Sequence, residues 1–275
     1  MLTRRDFLCG AAAMGSWQAH HAEPRRDRYE RWVFPSPGAE SIGGVRHEIW
    51  TARPAKDAPS VIVLHEITGA SDLFFAYTDT LVDAGFSVHC PVLFGSPFVR
   101  SVPLRNALYA VRACNLFSEF ECWTLSANAG INRWLTALAT EISGKAGNPV
   151  GAIGMCLTGI QPLAMLRCRA VVAPVICQPT LPLGGSTKAK TDFGLPPADA
   201  DFAIARVTYE RLQVLHIRYA NDKISSKPRA ERLNRVLAPH VQFVEVPGGE
   251  HSSLVHDPTS QARTAVVEFL KRRLV

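Results

Sequence analysis

The chain has 275 residues, of which 47% are hydrophobic and 20% charged, so it can bury a sizeable core and is neither disordered nor collagen-like. Its formal net charge of +6 is too weak to make nucleic acid the leading partner. No run approaches the roughly 18 apolar residues of a membrane-spanning helix. Seven cysteines without CxxC spacing argue against both a disulfide framework and a zinc ribbon.

The N-terminal residues are predicted to be a leader. A pair of arginines, Arg4 and Arg5, precedes a mildly apolar run of small residues, which resembles a twin-arginine export signal. We therefore expect residues 1–30 to lie outside the fold and residues 31–275 to form one domain. A functional leader would place the protein in the periplasm. The alternative is an ordinary basic N-terminus and a cytoplasmic location.

From residue 45 onward, short β-rich runs alternate with longer amphipathic runs, which predicts a mostly parallel sheet with helices on both faces. The expected strands are residues 47–50 at an edge, 60–66, 86–90, 150–155, 170–173, 212–219 and 241–246, and the expected helices are residues 74–84, 126–143, 159–168, 229–237 and 261–274. Two stretches rich in Pro and Gly, residues 91–104 and 178–201, are predicted to be long loops or inserts over a site.

Cys156 is the candidate nucleophile because it lies directly between a predicted strand and a predicted helix, in the run Gly-Met-Cys-Leu-Thr-Gly. A nucleophile at such a turn is lifted above the sheet, and small neighbours are needed where strand and helix come close. Gly154 meets that need, but Thr158 departs from the G-x-S-x-G pattern, in which the glycine stands one position earlier than Gly159. The alternative is a buried cysteine in a tight turn, with no chemical role.

A base and an orienting acid for Cys156 are predicted at the same edge of the sheet. Asp222 follows the strand at residues 212–219, and His251 lies in a glycine-rich loop after the strand at residues 241–246. The carboxyl ends of parallel strands meet at one edge, so these placements favour a set of nucleophile, acid and histidine. The alternatives are a turn-forming aspartate and a surface histidine.

The residues that follow the strand at 60–66 are the candidate oxyanion loop. In this position α/β hydrolases provide one backbone N–H to the oxyanion hole, and the residue after the nucleophile provides the other, here Ile67 and Leu157. The carboxylate of Glu66 should hinder a developing negative charge, so we expect it either to contact the resting thiol and then move away, or to modulate the pKa of the thiol. The alternative is an ion pair between Glu66 and an arginine.

Together, these residues resemble the dienelactone hydrolases, cysteine members of the α/β-hydrolase fold, over roughly residues 45–275. The resemblance implies that Cys156 is the nucleophile, His251 the base, Asp222 the orienting acid and Glu66 the partner of the resting thiol. It also implies hydrolysis of an enol lactone or related ester through an acyl-enzyme on sulfur, as in carboxymethylenebutenolidases, with no metal and no cofactor.

The resemblance does not extend to the substrate. The family contacts the carboxylate of dienelactone with arginines, one of them shortly after the catalytic histidine, but residues 252–255 contain none. Arg100 is the remaining candidate for a substrate contact. We therefore expect a monomeric hydrolase that acts on a small-molecule carboxylic ester or lactone. The alternatives are a thioesterase, or a binding or redox-sensor module that uses Cys156 without hydrolysis.

Overall fold

The computed structural model describes residues 23–36, 38–42, 45–99, 130–144, 147–180, 192–257 and 261–275 of the chain. The strands are β1 (Glu30–Phe34), β2 (His47–Ala52), β3 (Ser60–Leu64), β4 (Ser87–Val92), β5 (Val150–Met155), β6 (Val171–Cys177), β7 (Val214–Tyr219) and β8 (Val241–Val246). The α-helices are α1 (Asp72–Asp83), α2 (Gly130–Ser143), α3 (Gln161–Ala164), α4 (Pro197–Tyr209), α5 (Lys227–Leu237) and α6 (Gln261–Leu274). Short 3₁₀ turns cover Arg26–Arg28, Cys156–Thr158 and Met165–Arg167.

The eight strands form one sheet in the order β1-β2-β4-β3-β5-β6-β7-β8. Strand β2 pairs antiparallel with both β1 and β4, and the other pairs are parallel. The prediction of a mostly parallel sheet is confirmed. Because the parallel strands share one direction, the loops after β3, β5, β6, β7 and β8 all emerge at the same edge.

Both faces of the sheet are buried, which explains the continuous apolar runs in its central strands. In β3, Val61 and Val63 belong to a hydrophobic cluster with α1 and α6, whereas Ile62 and Leu64 belong to a second cluster with helices α2 to α5. This alternation follows from the two-residue period of a strand. The predicted helices on both faces are therefore confirmed.

Three predicted elements differ from the structure. Strand β2 is not at the edge, because β1 pairs with it from outside. The expected loop at residues 178–201 runs into helix α4, which begins at Pro197, where a missing N–H costs nothing. The expected helix at residues 159–168 is broken into α3 and the 3₁₀ turn Met165–Arg167.

Residues just before the expected boundary at residue 30 also contact the fold. The charge density of residues 25–28 favours a solvated segment, but acids on α1 bind it: Arg28 pairs with both Asp79 and Asp83. Next to it, Tyr29 is buried and its hydroxyl hydrogen bonds to Thr78. Residues 1–22 lie outside the described residues, so the export leader stays a prediction. No helix in the described ranges is long and apolar enough to span a membrane.

Candidate active site

Cys156 occupies a sharp turn at the end of β5. Its φ is +56°, a left-handed conformation that is uncommon for a residue with a side chain and that stores strain at functional sites. A Cβ on Gly154 would overlap the carbonyl oxygen of Thr158, and one on Gly159 would lie 2.6 Å from the carbonyl oxygen of Cys177. Both glycines are therefore required by the close approach of the backbone, as in a nucleophile elbow.

Thr158 has a structural role in this turn. Its buried Oγ1 accepts a hydrogen bond from the N–H of Met155 (3.1 Å) and lies 3.1 Å from the carbonyl oxygen of His65 and 3.3 Å from that of Leu64. The side chain thus ties the nucleophile turn to the end of β3. The turn is therefore tight although it departs from G-x-S-x-G, and the backbone approaches closely at both Gly154 and Gly159.

Asp222 and His251 meet at the same edge of the sheet. The Nδ1 of His251 lies 2.7 Å from Oδ2 of Asp222, and both side chains are buried. The other oxygen, Oδ1, accepts hydrogen bonds from the N–H groups of Ile224 (2.7 Å) and Ser225 (3.0 Å). Because the carboxylate accepts at Nδ1, it orients the imidazole and leaves Nε2 as the ring nitrogen that does not face the carboxylate.

His251 is electrostatically coupled to Cys156. Its Nε2 is buried and has no hydrogen-bond partner in the part of the chain that the structure describes. Burial opposes protonation of the imidazole, but negative charge on the Cys156 sulfur and the hydrogen bond to Asp222 outweigh burial and raise the pKa of His251 well above its usual value. The protonated imidazole is therefore favoured while the Cys156 sulfur carries negative charge.

Glu66 is placed differently from the expectation. Its Oε1 accepts hydrogen bonds from Ser252 Oγ (2.7 Å) and from Gln178 Nε2 (3.0 Å), while Ser253 Oγ donates to Gln178 Oε1 (2.5 Å). Among the described residues it forms no ion pair with an arginine and no hydrogen bond with Cys156. The partner of the thiol is instead Thr180, whose Oγ1 lies 3.4 Å from Sγ. Two neutral donors thus hold the Glu66 carboxylate in a buried network.

The two expected oxyanion donors lie beside the nucleophile turn. Leu157 follows Cys156 and is buried, and Ile67 packs against the same hydrophobic cluster. Neither backbone N–H donates a hydrogen bond to another backbone group of the described residues. Backbone N–H groups at these two positions are the ones that an oxyanion hole would use. Arg100, the candidate substrate contact, lies outside the described residues.

Four residues of the site were not predicted from the sequence: Gln178, Thr180, Arg218 and Ser252. Gln178 and Thr180 follow β6. The strand expected at residues 170–173 ended too early to place them at the active edge, which is the edge of the sheet that holds Cys156, Asp222 and His251. Arg218 could have been identified from the sequence, because it is a cation in an otherwise apolar strand, and the structure shows that it is buried. Its Nη2 donates to the carbonyl oxygens of Asp222 (3.2 Å) and Ser225 (3.1 Å). These hydrogen bonds hold in place the loop after β7 that contains Asp222, here called the acid loop.

The residues of this edge offer no evident metal site. Among the described residues, no group of three or more His, Cys, Asp or Glu side chains could hold a metal ion. The polar groups of the site are instead engaged with one another, as in the Asp222–His251 pair and in the network of Glu66 with Ser252. The arrangement is suited to nucleophilic attack by sulfur, with proton transfer through an oriented histidine.

Comparison with known proteins supports the fold. No protein-family model matches the chain, and no curated protein is significantly similar to it in sequence. Among solved structures, a dienelactone hydrolase-like promiscuous phosphotriesterase from metagenomic libraries is 18% identical, with a TM-score of 0.62 over 90% of this chain and 98% of that one. The esterase domain of a Rhodothermus marinus protein is 15% identical, with a TM-score of 0.58 over 90% and 100% of the two chains. A dienelactone hydrolase from Anabaena variabilis is 17% identical, with a TM-score of 0.56 over 90% and 100%.

These likenesses, together with the sheet order and the turn at Cys156, define the class of the protein: it has the α/β-hydrolase fold. The prediction of that fold is confirmed. The neighbours are esterases and dienelactone hydrolases by name, in agreement with the resemblance that the motifs carry.

Proposed function

We propose that the protein is a hydrolase of carboxylic esters or lactones that uses Cys156 as its nucleophile, in the manner of dienelactone hydrolases. The observation that supports this most is the hydrogen bond between His251 and Asp222, 2.7 Å long and buried, on a histidine that is coupled to the Cys156 sulfur. A merely structural cysteine would not need an oriented histidine beside it.

The proposed mechanism begins with transfer of the thiol proton from Cys156 to Nε2 of His251. The thiolate attacks the carbonyl carbon, and the N–H groups of Ile67 and Leu157 bind the oxygen that becomes negative. When the tetrahedral intermediate collapses, the imidazolium of His251 gives its proton to the leaving alcohol, and a thioester on Cys156 remains. His251 then takes a proton from water, the hydroxide attacks the thioester, and the acid leaves as the proton returns to sulfur.

We infer that the substrate is uncharged and apolar, because Cys156 belongs to a large hydrophobic cluster of the described core. The described side chains in the same hydrophobic cluster include Phe94, Leu157, Phe193 and Leu195. Glu66 is engaged by hydrogen bonds from Gln178 and Ser252, which hold its carboxylate within the buried network. We infer that simple aryl esters of short apolar acids are turned over better than esters that carry a carboxylate.

The first prediction concerns the nucleophile. Replacement of Cys156 by Ala should lower kcat/KM on a p-nitrophenyl ester by at least about 1,000-fold, because the covalent route is lost. Cys168→Ala is the matched control, since Cys168 is also a free, buried cysteine of the same cluster and should be dispensable. Steady-state kinetics, with circular dichroism to verify folding, provide the measurement. Turnover retained by a folded Cys156→Ala protein would overturn the proposal.

The same purified proteins can distinguish the hydrolase from the two alternatives, a redox sensor and a thioesterase. Alkylation of Cys156 by limiting iodoacetamide that is fast and depends on His251 supports the hydrolase. A stable sulfenic acid on Cys156 without ester turnover would favour a redox sensor instead. Turnover of an acyl-CoA far above that of the aryl ester would favour a thioesterase.

A further inference from the structure

The segment that follows β6, Gln178 to Thr180, contacts the loops after β3, β5, β7 and β8. The N–H of Gln178 donates to the carbonyl oxygen of Ile217 at the end of β7 (2.7 Å). The carbonyl oxygen of Pro179 accepts from Ser225 Oγ (3.1 Å) and from Arg229 Nη1 (3.2 Å), which belong to the acid loop and to α5. The position of Thr180 is thus fixed from the same elements that hold Asp222.

Thr180 contacts Cys156 twice. Its N–H donates to the carbonyl oxygen of Cys156 (3.0 Å), and its Oγ1 lies 3.4 Å from the sulfur. The hydroxyl is buried, and the sulfur is its hydrogen-bond partner among the described residues. A hydroxyl can accept from a thiol or donate to a thiolate, and a hydrogen bond to a charged acceptor is about twice as strong as one between neutral groups.

We propose that Thr180 is a positioning residue for the nucleophile, whose hydroxyl donates a hydrogen bond to the Cys156 thiolate after the thiol proton has moved to His251. The inference rests on the proposed function of Cys156 and goes beyond it, because it adds a second group that favours the thiolate. The backbone contact of Thr180 fixes the strained turn, and the hydroxyl stabilises the anion that the turn presents. Once the sulfur is acylated, its negative charge is gone and the hydrogen bond weakens.

The charged groups of the neighbouring loops are His251 and Glu66. His251, from the loop after β8, is electrostatically coupled to the sulfur and is itself bound to Asp222. Glu66, from the loop after β3, is held by Ser252 and Gln178. Thr180 does not titrate, so its removal should shift the titration of the thiol without adding a new ionising group.

The test is the pH dependence of Cys156 alkylation by iodoacetamide, followed by mass spectrometry of the Cys156 peptide. Thr180→Val keeps the shape of the side chain and removes the hydroxyl, so the midpoint of thiolate formation should rise by about one pH unit. Thr180→Ser keeps the hydroxyl and should stay within about 0.3 units of the wild type. Thr180→Ala gives the same comparison if Thr180→Val does not fold.

The chain offers a matched control in Thr140, whose hydroxyl lies 3.5 Å from the sulfur of Cys168, away from the site. Thr140→Val should leave the alkylation profile of Cys156 unchanged. An unshifted profile in folded Thr180→Val, a shift of equal size in Thr180→Ser, or an equal shift in Thr140→Val would each overturn the inference. Alkylation is measured without ester turnover, so these outcomes are distinct from failure of the proposed function, which would show as full turnover by Cys156→Ala.

Discussion

The His251 imidazole has to meet opposite demands in the two halves of the proposed reaction. It must hold a proton while the thiolate attacks, and it must be neutral to take a proton from water during deacylation. Negative charge on the Cys156 sulfur is one of the groups that raise the pKa of His251, and that charge disappears when the sulfur carries an acyl group. The state of the nucleophile therefore adjusts the basicity of its partner at each step.

This coupling predicts that the pKa of His251 falls when the sulfur is removed. In Cys156→Ala the hydrogen bond to Asp222 remains, but the negative charge that favours the imidazolium is lost. The pKa should be measured by NMR from the pH dependence of the imidazole nitrogen shifts, with Cys168→Ala as the control that leaves it unchanged. An equal pKa for His251 in Cys156→Ala and the wild type would contradict the coupling.

Among the elements, the strand β5 and its turn were predicted well and the strand β6 was not. A buried apolar run followed by closely spaced glycines marks both the end of β5 and the turn at Cys156, so local sequence suffices. In β6, Pro174 suggests an early end, because proline cannot donate to a ladder. The strand nevertheless continues past Pro174, because its ladder with β7 begins only at Val175 and so does not require an N–H from the proline. That extension carries Gln178 and Thr180 to the active edge, and only the tertiary structure places them there.

A further prediction concerns the contribution of Thr158 to the stability of the turn at Cys156. Replacement by Gly would restore the G-x-S-x-G pattern but should lower the free energy of unfolding by about 2 kcal/mol, because the buried N–H of Met155 and the carbonyl oxygens beside it lose their partner. Thr158→Ser keeps the hydroxyl and should lose less than about 1 kcal/mol. Urea denaturation of the three proteins measures this. A Thr158→Gly protein as stable as the wild type would show that the hydroxyl is dispensable.

Across the whole molecule, three buried histidines link stability to pH. Burial lowers the pKa of His65 to about 4, of His89 to about 3 and of His216 to about 4. In the unfolded chain each titrates near about 6.5, so between that pH and about 4 the unfolded state binds more protons than the folded state. Stability should therefore decrease as the pH falls through this window. His251 has the opposite shift, and its contribution is fully present below about 6.5.

The prediction is a free energy of unfolding that declines below pH 6.5, by up to about 4 kcal/mol per pH unit while all three histidines contribute. Urea denaturation at a series of pH values measures the slope. His89→Gln should reduce the slope by about one third, since a neutral amide retains hydrogen-bonding capacity toward Thr51 and Ser60 without titrating. A stability that is flat between pH 6.5 and 4.5 would contradict the prediction.

The two-sided core also keeps the thiols of the described residues apart. The side chains of Cys90 and Cys177 belong to the cluster with α1 and α6, whereas Cys156 and Cys168 belong to the cluster on the other face of the sheet. Sulfurs whose Cβ vectors point to opposite faces cannot be joined without backbone movement. In the folded protein Cys156 therefore lies in a different cluster from Cys90 and Cys177. A disulfide across the sheet would require the domain to open, so an oxidising environment alone should leave Cys156 unpaired with Cys90 and Cys177.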